Sequence, residues 1–248
     1  LLLSGIQRLF HVKTLDAGEW LCHFRYDTQD LQIILRESMH EQTLMITGPA
    51  GTLESLLVQP DGWREHDPIA ICCHPHPLHG GTMHNKVVYI MAKTCHQLGS
   101  ATLRFNFRGV GQSQGEFAAG VGEQADLLAV AAWLRQHYPE APLWLGGFSF
   151  GGYVSLMAHA QINPTRLLVV APAVELYPGM QEVQVQTKDW ILVQGGQDDL
   201  VSPLAVESWL KQQQNKPRLV WLEQAGHLFH GYLNQMQEQI MAIWTRSP

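Results

Sequence analysis

Charged side chains are scarce in this chain of 248 residues, where Asp, Glu, Lys and Arg together make up 15%. An ordinary soluble domain carries about a quarter. With hydrophobic residues at 46%, the scarcity excludes a disordered chain, whose composition runs the other way. Positive charge is the scarcer sign. The net charge is −6 and the isoelectric point lies near 6.1, so no nucleic-acid partner is expected. The four cysteines, Cys22, Cys72, Cys73 and Cys95, form no CxxC pair. Two of them sit in an apolar run, where thiols fill space, and a reducing, cytoplasmic setting is the expectation. No apolar run approaches the ~18 residues of a membrane-spanning helix, and no membrane partner is expected. The opening LLLSGIQRLF is broken by Gln7 and Arg8 and lacks the charged start of a signal peptide. Internal repeats and Ser/Pro-rich linkers are also missing. What remains is the profile of one large domain, expected over 39–248. Residues 1–38 are expected to be an N-terminal extension that catalysis does not need.

What is present is alternation. TLMITG and LESLLVQP read as two strands paired antiparallel across a turn at Pro49–Gly51. IAICC is a short continuous apolar run, the pattern of a strand buried on both faces. Beyond it, strands are expected at ATLRFNF, PLWLGGF, RLLVVAPA, DWILVQGG and RLVWLEQA. Helices are expected at VVYIMAKTCHQLG, EQADLLAVAAWLRQHY, GGYVSLMAHAQI, PLAVESWLKQQQ and LFHGYLNQMQEQIMAIWTR. Such alternation predicts an α/β fold with a mostly parallel sheet of about eight strands and helices on both faces. Ligands sit at the carboxyl ends of the strands in such sheets, so the residues just after each strand are the candidates for chemistry.

Three of those positions carry a nucleophile, an acid and a base. Ser149 lies inside Gly147-Phe148-Ser149-Phe150-Gly151, a G-x-S-x-G between a strand and a helix. That context identifies a sharp strained turn exposing a serine, with glycines where neighbouring side chains would collide. Asp198 and Asp199 follow DWILVQGG, and Gly226-His227 follows RLVWLEQA. A free hydroxyl is a poor nucleophile. His227 would take its proton, and an aspartate would orient the imidazole and stabilise its charged form. The chain order Ser, Asp, His differs from the trypsin and subtilisin orders.

In that order and context, residues 45–248 resemble the α/β-hydrolase family. The resemblance implies a serine hydrolase with no cofactor and no large cap domain. Gly195-x-x-Asp198-x-x-Val201 is similar to the family's acid-bearing turn, which favours Asp198, with Asp199 as the alternative. His227 fits the family's final-loop histidine better than His230, which is expected one turn into the last helix. The run 108–115, RGVGQSQG, is similar to the family's turn after the fourth strand. Its glycine spacing and the lack of an immediate helix fail the dinucleotide-binding pattern.

One stretch invites another reading. HPHPLHGGTMH, 74–84, holds four histidines in eleven residues. The spacing of His74, His76 and His79 resembles the ligand run of metallo-β-lactamase-fold hydrolases, but Leu78 stands where that run has Asp. Two prolines also stiffen the segment. The α/β-hydrolase resemblance gives the stretch a different task, since the loop after the third strand supplies one oxyanion-hole N–H there and the residue after the serine the other. Pro75 and Pro77 have no N–H to donate. His76 is then the expected donor, with Leu78 as the alternative, and Phe150 is the second. No metal is expected, and His79 and His84 are expected to be structural. HPHPLHGGTMHNKVV is similar to the signature of a small bacterial subgroup of lidless, esterase-like members. The function expected is hydrolysis of carboxylic esters, short acyl chains favoured, through an acyl-enzyme on Ser149, with a small-molecule ester as partner. A thioesterase, a peptidase or amidase with the same three residues, a non-catalytic binding protein of this fold and a metal-dependent hydrolase are the alternatives.

Overall fold

The computed structural model of the chain describes residues 40–246. The expected extension 1–38 lies outside the described residues. Eight strands form one sheet: β1 (His40–Gly48), β2 (Gly51–Gln59), β3 (Ile69–Cys73), β4 (Ala101–Phe105), β5 (Leu143–Phe148), β6 (Arg166–Val170), β7 (Asp189–Gly195) and β8 (Arg218–Leu222). Their order is β1-β2-β4-β3-β5-β6-β7-β8. The expected first hairpin is there, with Gly48 paired to Gly51 across the turn. β2 joins β4 antiparallel, and every pair from β4 through β3 to β8 is parallel.

Among the described residues, five helices follow strands of the sheet: α1 (Lys86–Gln97), α2 (Val121–His137), α3 (Phe150–Ile162), α4 (Pro203–Gln212) and α5 (Leu233–Thr245). The period-two alternation of the buried strands feeds two cores. Leu167 and Val169 of β6 face one with Leu127, Val154 and Val206 of α2, α3 and α4. Leu168 and Val170 face the other with Val88 and Met91 of α1 and Ile240 and Trp244 of α5. Each such side chain, fully buried, contributes about 1.5–3 kcal/mol of transfer free energy. Caps mark the helix starts. Asn85 accepts from the Val87 and Val88 N–H groups at 2.9 and 3.4 Å, and Ser202 from Ala205 N–H at 3.3 Å just before Pro203.

The connection from β3 leads to β4 on one side, and that from β5 leads to β6 on the other. The loops after β3 and β5 therefore diverge, and a crevice opens between the carboxyl ends of these neighbouring strands. Among the described residues, nothing large covers it. Between β6 and β7 the chain makes turns and one short 3₁₀ segment, Met180–Glu182, so the fold has no large cap domain. Among the described residues, no helix is long and apolar enough to cross a membrane.

The structure departs from the expected elements in one consistent way. ATLRFNF, RLLVVAPA and RLVWLEQA leave the sheet earlier than their apolar runs suggest. Phe107, Ala171, Ala173 and Ala225 are buried although they belong to loops. The last helix also starts later, at Leu233. Phe229 and Gly231 have φ of 52° and 79°, which no α-helix accommodates, and Phe229 is buried as an anchor against Phe148. His230 is thus exposed on a turn before the helix, not within it.

Candidate active site

Ser149 joins β5 to α3 with φ 55° and ψ −116°, a sparsely populated conformation that costs about 1–3 kcal/mol. The surroundings hold it there. Its N–H donates to Val170 O at 2.9 Å, and its carbonyl accepts from Tyr153 N–H at 3.0 Å. The flanking glycines are required by close approach. A Cβ on Gly147 would lie 2.1 Å from Gly151 O, and one on Gly151 would lie 2.4 Å from Cys73 O and 2.5 Å from His74 O. The start of α3 is therefore pressed against the end of β3, which brings the histidine-rich loop beside the serine.

The serine hydroxyl is not used as a helix cap. Its Oγ is instead 3.0 Å from Nε2 of His227, and Nδ1 of His227 is 2.9 Å from Oδ2 of Asp198. A carboxylate only accepts, so Nδ1 carries the proton and Nε2 presents a lone pair to the serine. His227 and Asp198 are both buried, and the imidazole packs on the Phe148 ring with centroids 5.0 Å apart. Asp198 is saturated with donors: Oδ1 accepts from the N–H groups of Leu200 and Val201 at 3.0 and 2.8 Å, and Oδ2 also accepts from Gln194 Nε2 at 3.2 Å. Burial pushes its carboxyl upward, but the bonds from His227, Val201 and Leu200 outweigh it and hold the group below the usual carboxylate range. Asp199, the alternative acid, is exposed, as is His230. Of the paired candidates, Asp198 and His227 are the ones gathered with Ser149.

Two backbone N–H groups at the crevice are placed by separate means. Phe150 is the first residue of α3, so its N–H has no intrahelical acceptor. The N–H of His76 has no partner among the described residues. The N–H of Leu78 is engaged instead, donating to Nδ1 of His76 at 3.2 Å. The ring of His76 rests 5.2 Å from that of Phe150 and 4.9 Å from that of Phe117.

Sequence reasoning did not foresee what holds this loop. His74 is buried and both ring nitrogens are occupied: Nδ1 is 2.6 Å from Pro75 O, and Nε2 accepts from Phe107 N–H at 3.0 Å. Burial lowers its pKa from 6.5 to about 4, so it is a neutral tie between the ends of β3 and β4, with no lone pair left for a metal. His76 already spends Nδ1 on Leu78, and its ring stacks on that of His79 at 4.4 Å. Further along, Met83 N–H donates to Asn106 Oδ1 at 2.8 Å, and Met83 O accepts from Arg104 at 3.0 Å. Asn106 in turn donates to Glu54 at 2.7 Å. A partly buried bidentate pair, Arg108 with the buried Asp126 at 2.9 and 2.7 Å, ties the turn after β4 to α2. The signal available in sequence was the run of polar residues after β4, Asn106 and Arg108 among apolar neighbours. Tyr177, from the connection after β6, closes the aromatic wall against Phe150 at 5.3 Å, and its phenol is pushed up to about 12, mainly by burial.

Comparison with known proteins places this geometry. A family model described as the α/β-hydrolase fold matches residues 78–171. A lidless α/β serine hydrolase from Xanthomonas campestris superposes with a TM-score of 0.79 at 38% identity, covering 84% of this chain and 97% of that one. An α/β serine hydrolase homologue from Coxiella burnetii superposes with a TM-score of 0.77 at 41% identity, covering 81% and 96%. An uncharacterized protein of Rickettsia prowazekii is 42% identical over 135 residues. That match covers 53% of this chain and 55% of the relative, so it spans about half of that protein's length.

Proposed function

The chain belongs to the α/β-hydrolase family, and on that premise we propose that it hydrolyses carboxylic esters through an acyl-enzyme formed on Ser149. The observation that carries the reading is the continuous line from Ser149 Oγ to His227 at 3.0 Å and on to Asp198 at 2.9 Å. Ser149 Oγ attacks the ester carbonyl as His227 Nε2 accepts its proton. Asp198 holds the tautomer and stabilises the imidazolium. The N–H groups of Phe150 and His76 receive the developing oxyanion, and one such donor is typically worth about 10²–10³ in kcat. His227 then protonates the departing alcohol, and a water activated by the same histidine releases the acid.

The HPHPLHGGTMHNKVV loop supports placing the chain in the lidless esterase-like subgroup. A short connection, Val174–Lys188, where larger relatives insert a cap, supports an open site suited to compact acyl groups. A small-molecule ester is the proposed partner, without nucleic acid or membrane, in the cytoplasm. The test is a panel of esters, thioesters and aminoacyl amides, read beside fluorophosphonate labelling. Esters should give the highest kcat/KM, and the label should attach to wild-type protein but not to Ser149→Ala. Faster turnover of thioesters or amides would overturn the ester assignment. Labelling that survives Ser149→Ala would overturn the nucleophile.

A further inference from the structure

The last residue but one of strand β7 does not belong there on packing grounds. Trp190 and Leu192 point into the core shared with α4. Gln194, two residues on, takes the same face. It is completely buried. Its Nε2 donates to Asp198 Oδ2 at 3.2 Å and to Gly195 O at 3.2 Å, and its Oε1 is buried with no hydrogen-bond partner. The amide orientation follows from these neighbours, because a flipped amide would set three acceptor oxygens against one another. An unpaired buried carbonyl is destabilising, and a leucine or methionine would avoid it. The side chain is thus kept at a cost to the fold, and the contact it makes in exchange is on the oxygen that receives His227.

We propose that Gln194 is a positioning residue of the active site, whose amide fixes Oδ2 of Asp198 in line with His227 Nδ1. The proposal rests on the reading of Ser149, His227 and Asp198 given above. The N–H groups of Leu200 and Val201 hold Oδ1, which fixes one corner of the carboxylate. Rotation about the bond to the carboxyl group is then stopped by the second hold, on Oδ2. Without it the carboxylate can turn out of the imidazole plane, which leaves substrate binding intact and slows every proton transfer through His227.

Gln194→Met keeps the volume and removes the donor, and Gln194→Leu serves if the first fails to fold. On a p-nitrophenyl ester, kcat is expected to fall by about 10- to 100-fold, the scale of one hydrogen bond to a charged group. KM should stay within about twofold, and Tm within about 4 °C of wild type. The downfield proton signal of the His227–Asp198 hydrogen bond should shift, which a merely structural role would not cause. A folded variant with kcat within about twofold of wild type and an unmoved proton signal would overturn the proposal. Ser149→Ala, run in the same series, separates the two layers. If it retained activity, the proposed function itself would fall, whereas an inactive Ser149→Ala beside a fully active Gln194→Met removes the positioning role alone.

Discussion

Replacing Asp198 by asparagine removes one charge and exchanges an oxygen for an NH₂. In this site the exchange has no harmless arrangement. Four N–H donors converge on the carboxylate: Leu200 and Val201 on Oδ1, His227 and Gln194 on Oδ2. An NH₂ in the Oδ1 position meets two backbone donors that cannot turn away. In the Oδ2 position it meets Gln194 and His227, and the imidazole can yield by moving its proton to Nε2. That is the least costly outcome, and it is fatal to chemistry, since Nε2 then donates toward Ser149 instead of accepting from it. A wrong tautomer of this kind costs about 10⁴ in kcat, or roughly 5.4 kcal/mol of barrier. Asp199 is exposed, and Asp199→Asn should stay within about twofold of wild type. The assay is initial rate on a p-nitrophenyl ester, with circular dichroism to show that both variants are folded. Equal losses in the two variants, or a larger loss at Asp199, would show that Asp198 does not hold the His227 tautomer.

Three further outcomes follow from the same geometry. Gly81→Ala should lower kcat by about 10²-fold, because its Cβ would sit 2.1 Å from Pro75 O and 2.7 Å from His76 O and push the loop off Phe150. Gly80→Ala meets nothing within 4 Å of its Cβ and bears only the cost of a positive φ of 76°, about 1 kcal/mol of stability; it should lose far less activity, and equal rates for the two would contradict the placement of the loop. Activity on p-nitrophenyl esters of rising length should peak between acetyl and butyryl, as each methylene left in water forgoes ~0.8 kcal/mol of burial; a maximum at octanoyl or beyond would contradict the open site. Finally, His74 has a folded pKa near 4 against 6.5 ordinarily. The depressed value means its contribution is complete above pH 6.5 and is lost as pH falls toward 4. The loss is about 3 kcal/mol. Urea midpoints measured across that range should fall more steeply for wild type than for His74→Asn, and parallel slopes would refute the buried neutral imidazole.

Periodicity made the framework legible. Short apolar runs bounded by turn residues and helical apolar spacing located the eight strands and five helices of the described residues, and the order of Ser149, Asp198 and His227 located the crevice. The misreadings cluster at the carboxyl ends of strands. Apolar runs such as RLLVVAPA continue past the sheet because the loops beneath the site are themselves buried, as Ala171 and Ala173 show. Hydrophobicity reports burial, not hydrogen-bonded pairing, so it could not mark where β6 ends. The late start of α5 was hidden for a related reason, since Phe229 is apolar for its anchoring role while its φ of 52° breaks the helix. His74 and Gln194 were unreadable as supports. Their roles depend on which polar groups the fold brings to them, Phe107 N–H for His74 and, folded back by the turn after β7, the Asp198 carboxylate for Gln194. Such pairings span 33 residues in the first case, a separation that no local pattern encodes.

The proposed covalent acyl-enzyme on Ser149 can be trapped. The protein is mixed with p-nitrophenyl butyrate, quenched in acid during the first turnovers and digested for mass spectrometry. One butyryl group is expected on the peptide containing Ser149, formed at the rate of the p-nitrophenol burst and absent from Ser149→Ala. Turnover in Ser149→Ala at the wild-type rate, with no acylated peptide in either protein, would contradict the acyl-enzyme.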